Sequence, residues 1–182
     1  MRLIGAVLVV LAACGGEAPP EPARRACSAE GMSVPRGSDD VPRGVAATRG
    51  RIIDAAVACD YAELERVALA GSPVFNYSFG QPNERSQAKP GSYWREREGA
   101  GEPALRVLVR LFGLPHARTT IDEPIYVWPS AAGEAPSSDD WTAVEKEFGR
   151  DTVAGWRTPE GYLGPRVGIT TAGDWIFYVA GD

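Results

Sequence analysis

The residues of this chain whose types could do chemistry are few: Cys14, Cys27 and Cys59, a single histidine at His116, and adjacent acids at Asp39-Asp40, Asp122-Glu123 and Asp139-Asp140. One histidine cannot build a histidine-rich zinc centre, and Cys27 and Cys59 form no CxxC unit that would join it. His116 follows Leu114-Pro115 at the end of an apolar stripe, where a surface residue at a helix C-terminus is the simplest expectation. Each acidic pair precedes or enters a turn or helix start, where Asp accepts from backbone N–H groups, so capping is favoured over general acid–base work. No GxSxG, HExxH, GxxxxGK or GxGxxG spacing occurs, and no DxDxDG calcium loop. The sequence therefore names no catalytic residue, no metal site and no cofactor, and leans away from an enzyme.

The aromatic residues are the remaining candidates. Tyr77, Tyr93, Trp94, Trp128, Trp156 and Tyr162 recur near the ends of expected strands and in loops, with Arg95, Arg157 and Arg166 close by in sequence. A concave sheet lined by such rings could hold a glycan, a peptide or an apolar ligand. The competing reading is that these rings build the core, since alternation along strands sends about half of them inward.

The N-terminus carries a sharper pattern. Met1-Arg2 is followed by the apolar run Leu3 to Leu11, which is too short to span a bilayer as a helix of roughly 20 residues and suits a cleavable export signal. The run closes with Leu11-Ala12-Ala13-Cys14, which resembles the lipobox of bacterial prolipoproteins. That resemblance covers residues 1–15. It implies diacylglyceryl attachment to the Cys14 thiol, cleavage before Cys14, and a mature protein held at a membrane surface by its lipid. Gly15 rather than Asp follows Cys14, so the outer membrane is implied in a two-membrane cell and the outer face of the plasma membrane in a single-membrane one. Export places Cys27 and Cys59 where disulfides persist, and with Cys14 lipidated they form the one remaining intramolecular pair. The alternative is two free buried thiols.

The elements that must position these residues follow from periodicity. Residues 1–13 read as signal peptide and 14–40 as a lipidated, flexible tether, opening Gly15-Gly16-Glu17-Ala18-Pro19-Pro20 and pinned by Cys27. Residues 41–182 read as one globular domain. Within it the spacing predicts a helix over 43–58, a second capped by Asp60 with Glu63 three residues on, and a half-buried strand over 73–80 through Phe75, Tyr77 and Phe79. A helix over 102–114, a strand over 125–129, a helix from Asp139 or Asp140 to Phe148, and a hairpin of 162–170 with 174–180 complete the order. Strict βαβ alternation is missing, which argues for an α+β fold with helices packed on one face of a mostly antiparallel sheet; cystatin-like or NTF2-like folds would suit the order.

The net charge of −5 offers no basic patch for nucleic acid. The functional expectation is a lipid-anchored envelope lipoprotein whose domain binds an envelope protein or a cell-wall glycan without catalysis. The alternatives are an envelope hydrolase with clefted carboxylates and a small apolar-ligand carrier. Membrane contact is expected through the N-terminal lipid.

Overall fold

The computed structural model describes residues 26–34, 40–77, 88–119 and 123–180. Cys14, the signal segment, residues 14–25 of the expected tether, Phe79 and Asp122 lie outside them. The fold is α+β. Helices α1 (Arg43–Val57), α2 (Tyr61–Ala68), α3 (Pro90–Gly99), α4 (Ala104–Leu111), α5 (Ser138–Phe148) and α6 (Arg150–Ala154) accompany a four-stranded antiparallel sheet. That sheet is ordered β1 (Ala117–Arg118), β2 (Ile125–Trp128), β5 (Arg166–Thr170), β6 (Trp175–Val179), and a small hairpin of β3 (Arg157–Thr158) and β4 (Gly161–Tyr162) stands apart from it.

Two-residue alternation divides the sheet between two packings. Tyr126, Trp128, Val167, Ile169, Trp175 and Tyr178 join the main core, onto which α1, α2 and α4 pack. Val127, Phe177 and Val179 form a smaller cluster on the other face. A register shift at Gly168/Ile169 brings Trp175 to the same side as Tyr178, which simple alternation along β6 would not do. Gly168 lies opposite Phe177, and a methyl group there would overlap the Phe177 ring, so the glycine leaves room for a large ring across the strand pair.

The expected strand over 73–80 is corrected. Among its described residues only Asn76 pairs, as an isolated parallel bridge to Phe177 at the edge of β6. Phe75 and Tyr77 are buried as the alternation required, but through aromatic packing rather than a ladder.

The helix junctions show why local signals differ in legibility. Asp60 caps α2 by accepting from the Glu63 N–H at 2.9 Å, while the Glu63 carboxylate turns to Arg51 and Arg66 instead of closing a reciprocal box. Helix α5 is capped by Ser137, not by Asp139 or Asp140; Asp140 returns the capping-box bond, accepting from the Ser137 N–H at 2.8 Å. Hydrogen bonds from the Ser130 and Ser137 hydroxyls hold the Asp140 carboxyl below its usual range.

Helix α1 ends in a two-bond reversal. Cys59 N–H donates to the Ala56 carbonyl and Asp60 N–H to the Ala55 carbonyl, with Cys59 itself left-handed at φ 55°. Glycine is the usual occupant of such a position. Cys59 is bonded here to Cys27 in a disulfide with Cα atoms 5.7 Å apart. Residues 26–34 form a turn against the domain, with Cys27 and Ala29 buried and Gly31 N–H donating to the Val57 carbonyl. The packed domain therefore includes this stretch, termed the strap below, on the N-terminal side of the Val41 boundary read from sequence.

Candidate functional site

The six aromatic residues expected to form a ligand surface are distributed over two packings. Tyr77 and Tyr93 stack with ring centroids 4.1 Å apart, beside Phe75, Trp94 and Trp175. Trp128 meets the edge of Phe112 at 5.3 Å, also within the main core. Trp156 and Tyr162 lie 6.1 Å apart in a side layer with Trp141 and Phe148, and the Tyr162 hydroxyl donates to the Pro165 carbonyl. The surface expectation is corrected for Trp94 and Trp128, each 1% exposed, and for Tyr77 and Tyr162, which are also buried. Helix α3 is the physical reason at Trp94, since it inserts that ring into the core. Only Tyr93 and Trp156 keep partial exposure. Arg157 stacks on Trp141 at 4.5 Å, and Arg166 donates to the Gly164 carbonyl, so both adjoin the side layer of Trp141, Trp156 and Tyr162.

An open groove of about 950 Å³ lies instead between the strap and the corner joining α3 to α4. One wall is Ala26, Cys27 and Ser28; the other carries Arg95, Glu98 and Arg106. Sequence reasoning missed it because its walls are 70 to 78 residues apart in the chain and are joined by side chains that carry no motif.

Glu98 organises the corner. Its carboxylate accepts from the Ser28 N–H and Ser28 hydroxyl, both at 2.6 Å, and from the Leu105 N–H at 2.8 Å. The Ser28 oxygen in turn accepts from the Arg106 N–H at 3.0 Å. Leu105 and Arg106 belong to the first turn of α4, whose N-cap position is Pro103 with no side chain to offer. Ser28 and Glu98 therefore cap α4 from elsewhere in the chain, satisfying donors that a helix start leaves orphaned. Arg106 Nε donates back to the Ser28 carbonyl at 3.0 Å. Arg95 stacks on Tyr61 at 4.9 Å, and Glu102 pairs with Arg97. Burial, and then the Glu98 charge, push the Tyr61 phenol above its ordinary pKa.

His116 is not a simple surface residue. Its ring packs 5.4 Å from Tyr126 and 5.3 Å from Trp128, partly buried. Buried Arg49 sits over the same Trp128 ring at 5.9 Å and donates to the Phe112 carbonyl at the end of α4. Burial lowers the His116 pKa; Asp40 opposes this and Arg49 reinforces it. The imidazole is thus a neutral wedge beside a buried cation.

Among the described residues no group of three or more His, Cys, Asp or Glu side chains is placed to hold a metal ion. No described helix is long and apolar enough to cross a membrane. No family model, no curated protein and no solved structure matches this chain.

Proposed function

We propose that this chain is an exported lipoprotein, anchored through Cys14, whose domain is a non-catalytic interaction module for an envelope protein or a cell-wall component. The lipobox resemblance supports export and anchoring, and the Cys27–Cys59 disulfide fits the oxidising side of a membrane. The observation that carries the binding half is the open groove beside Ala26–Ser28, where the chain enters the domain from its N-terminal segment.

Glu98 and Glu102 both line this groove, which is where a carboxylate hydrolase would be sought. Three donors occupy the Glu98 oxygens and Arg97 engages Glu102, so both have structural employment and binding is preferred over hydrolysis. The groove is open and charged, which gives a carrier of small apolar ligands no support.

Detergent-phase partitioning of the wild type against Cys14→Ala tests the anchor; equal recovery in the aqueous phase sinks it. Photo-crosslinkers placed at Gly99, in the groove, and at Thr142, on α5, test the interaction surface in native envelopes. A discrete adduct from Gly99 and none from Thr142 is expected, and adducts from neither defeat the binding reading.

A further inference from the structure

We propose that the groove between the strap and the α3–α4 corner recognises an extended peptide segment through its carboxylates, with Arg95 and Arg106 as the recognising cations. This rests on the reading of the domain as an interaction module and names its partner's chemistry.

The charges of the groove are unequally engaged. Its acids are occupied: Glu98 by Ser28 and the α4 N-terminus, Glu102 by Arg97. Its two arginines are not. Among the described residues neither Arg95 nor Arg106 forms an ion pair with a carboxylate. Both nonetheless have a local contact, Arg95 over the Tyr61 ring at 4.9 Å and Arg106 through its Nε bond to the Ser28 carbonyl, which leaves its terminal nitrogens for a ligand. A guanidinium so pre-positioned loses less freedom on binding and suits the planar geometry of a carboxylate.

The shape favours main chain over a compact ligand. The groove is open, about 950 Å³, and a side chain added at Gly99 or Gly101 would meet nothing within 4 Å. Those glycines keep the stretch between the two arginines low, so a peptide backbone can approach it. A chain of net charge −5 opposes the approach of anions at long range, which leaves any selectivity for them to these two side chains.

The wall is also held in place independently of any ligand. The disulfide fixes Cys27 to the α1–α2 junction and Ser28 fastens to Glu98, so the strap does not have to be ordered at the moment of binding.

Fluorescence anisotropy with labelled hexaglutamate, hexaglutamine and hexalysine, on the full chain bearing Cys14→Ala, tests the proposal. Hexaglutamate should bind, and at least about tenfold more tightly than either control. Arg95→Gln with Arg106→Gln should remove that preference. Gly99→Leu should block the groove at unchanged melting temperature, because space is open there, and so separates loss of binding from loss of fold. Cys27→Ala with Cys59→Ala should weaken binding by loosening the wall. Absence of hexaglutamate binding, equal binding of hexaglutamine, a preference that survives Arg95→Gln with Arg106→Gln, or indifference to Gly99→Leu overturns the proposal. If it fails while the Gly99 crosslinker still captures an envelope partner, the anion site falls and the interaction reading stands; if both fail, both fall.

Discussion

The indole rings of Trp94 and Trp175 lie face to face, centroids 5.1 Å apart and planes 11° from parallel, with Phe75 edge-on to both. This stack joins α3 to β6. Replacing Trp94 by Ala removes a fully buried indole, and such truncations cost about 3–5 kcal/mol. Urea denaturation should show a correspondingly lower midpoint. A shift below about 1 kcal/mol would mean the ring contributes little to the packing.

The trans cap on α4 predicts coupling between distant residues. Ser28→Ala should destabilise by about 1 kcal/mol, as loss of an N-cap does. Amide exchange at Leu105 and Arg106 should quicken together with exchange at the strap. In a double-mutant cycle with Glu98→Gln the two changes should be non-additive, because they share hydrogen bonds. Strict additivity would dismiss the cap.

Much of this was not open to sequence reading, and the reasons are specific. Helices α2 and α4 show apolar spacing of three and four, α1 places Val45, Ile52, Ile53 and Val57 on one face at spacings of seven, one and four, and Asp60 signals its own cap, so they were legible. Helix α3, PGSYWREREG, has no apolar stripe; it is held by one deeply buried tryptophan and by a cap from Glu65, which accepts from the Gly91 N–H at 3.0 Å. Its cap and that of α4 come from 26 and 78 residues away, beyond any local pattern. Strands β1, β3 and β4 have two residues each, too short to alternate. The Cys27–Cys59 pairing was suggested once the lipobox resemblance set Cys14 aside, whereas the groove was not legible, since only folding brings Ser28 to Arg106.

Gly91 lies so close to α2 that a methyl group there would overlap the Tyr61 carbonyl. Gly91→Ala should therefore force α2 and α3 apart at a cost of about 1–3 kcal/mol. Gly99→Ala on the same helix meets open space and serves as the control. Equal melting temperatures for the two variants would contradict the close approach.

Cys59 combines a bridge with a left-handed backbone. Breaking the disulfide with Cys27→Ala should cost about 3–4 kcal/mol for a loop of this length. In that background Gly at position 59 should be more stable than Ala by roughly 1 kcal/mol, because an L side chain at φ 55° is strained. Greater stability of the alanine form would show that the reversal relaxes once the bridge is gone.

His116 sets an expected acid sensitivity. Its folded pKa lies below the ordinary 6.5, because burial and Arg49 outweigh Asp40. The neutral ring therefore stabilises the fold above the unfolded value, and that contribution is lost as pH falls through the folded pKa. His116→Gln should flatten the fall in stability as pH drops below the ordinary histidine value of 6.5. An unchanged slope in that window would assign the acid sensitivity to other groups.

The Cys27–Cys59 bridge also decides how this domain meets mechanical tension. A pull applied on the N-terminal side of Cys27 passes through sulfur directly to Cys59, at a sequence separation of 32, and reaches the α1–α2 junction without stretching the residues between. Helix α1 and the Ser28 cap are thereby sheltered from tension. The length of chain stored in that loop can be drawn out only when the bridge itself is cut.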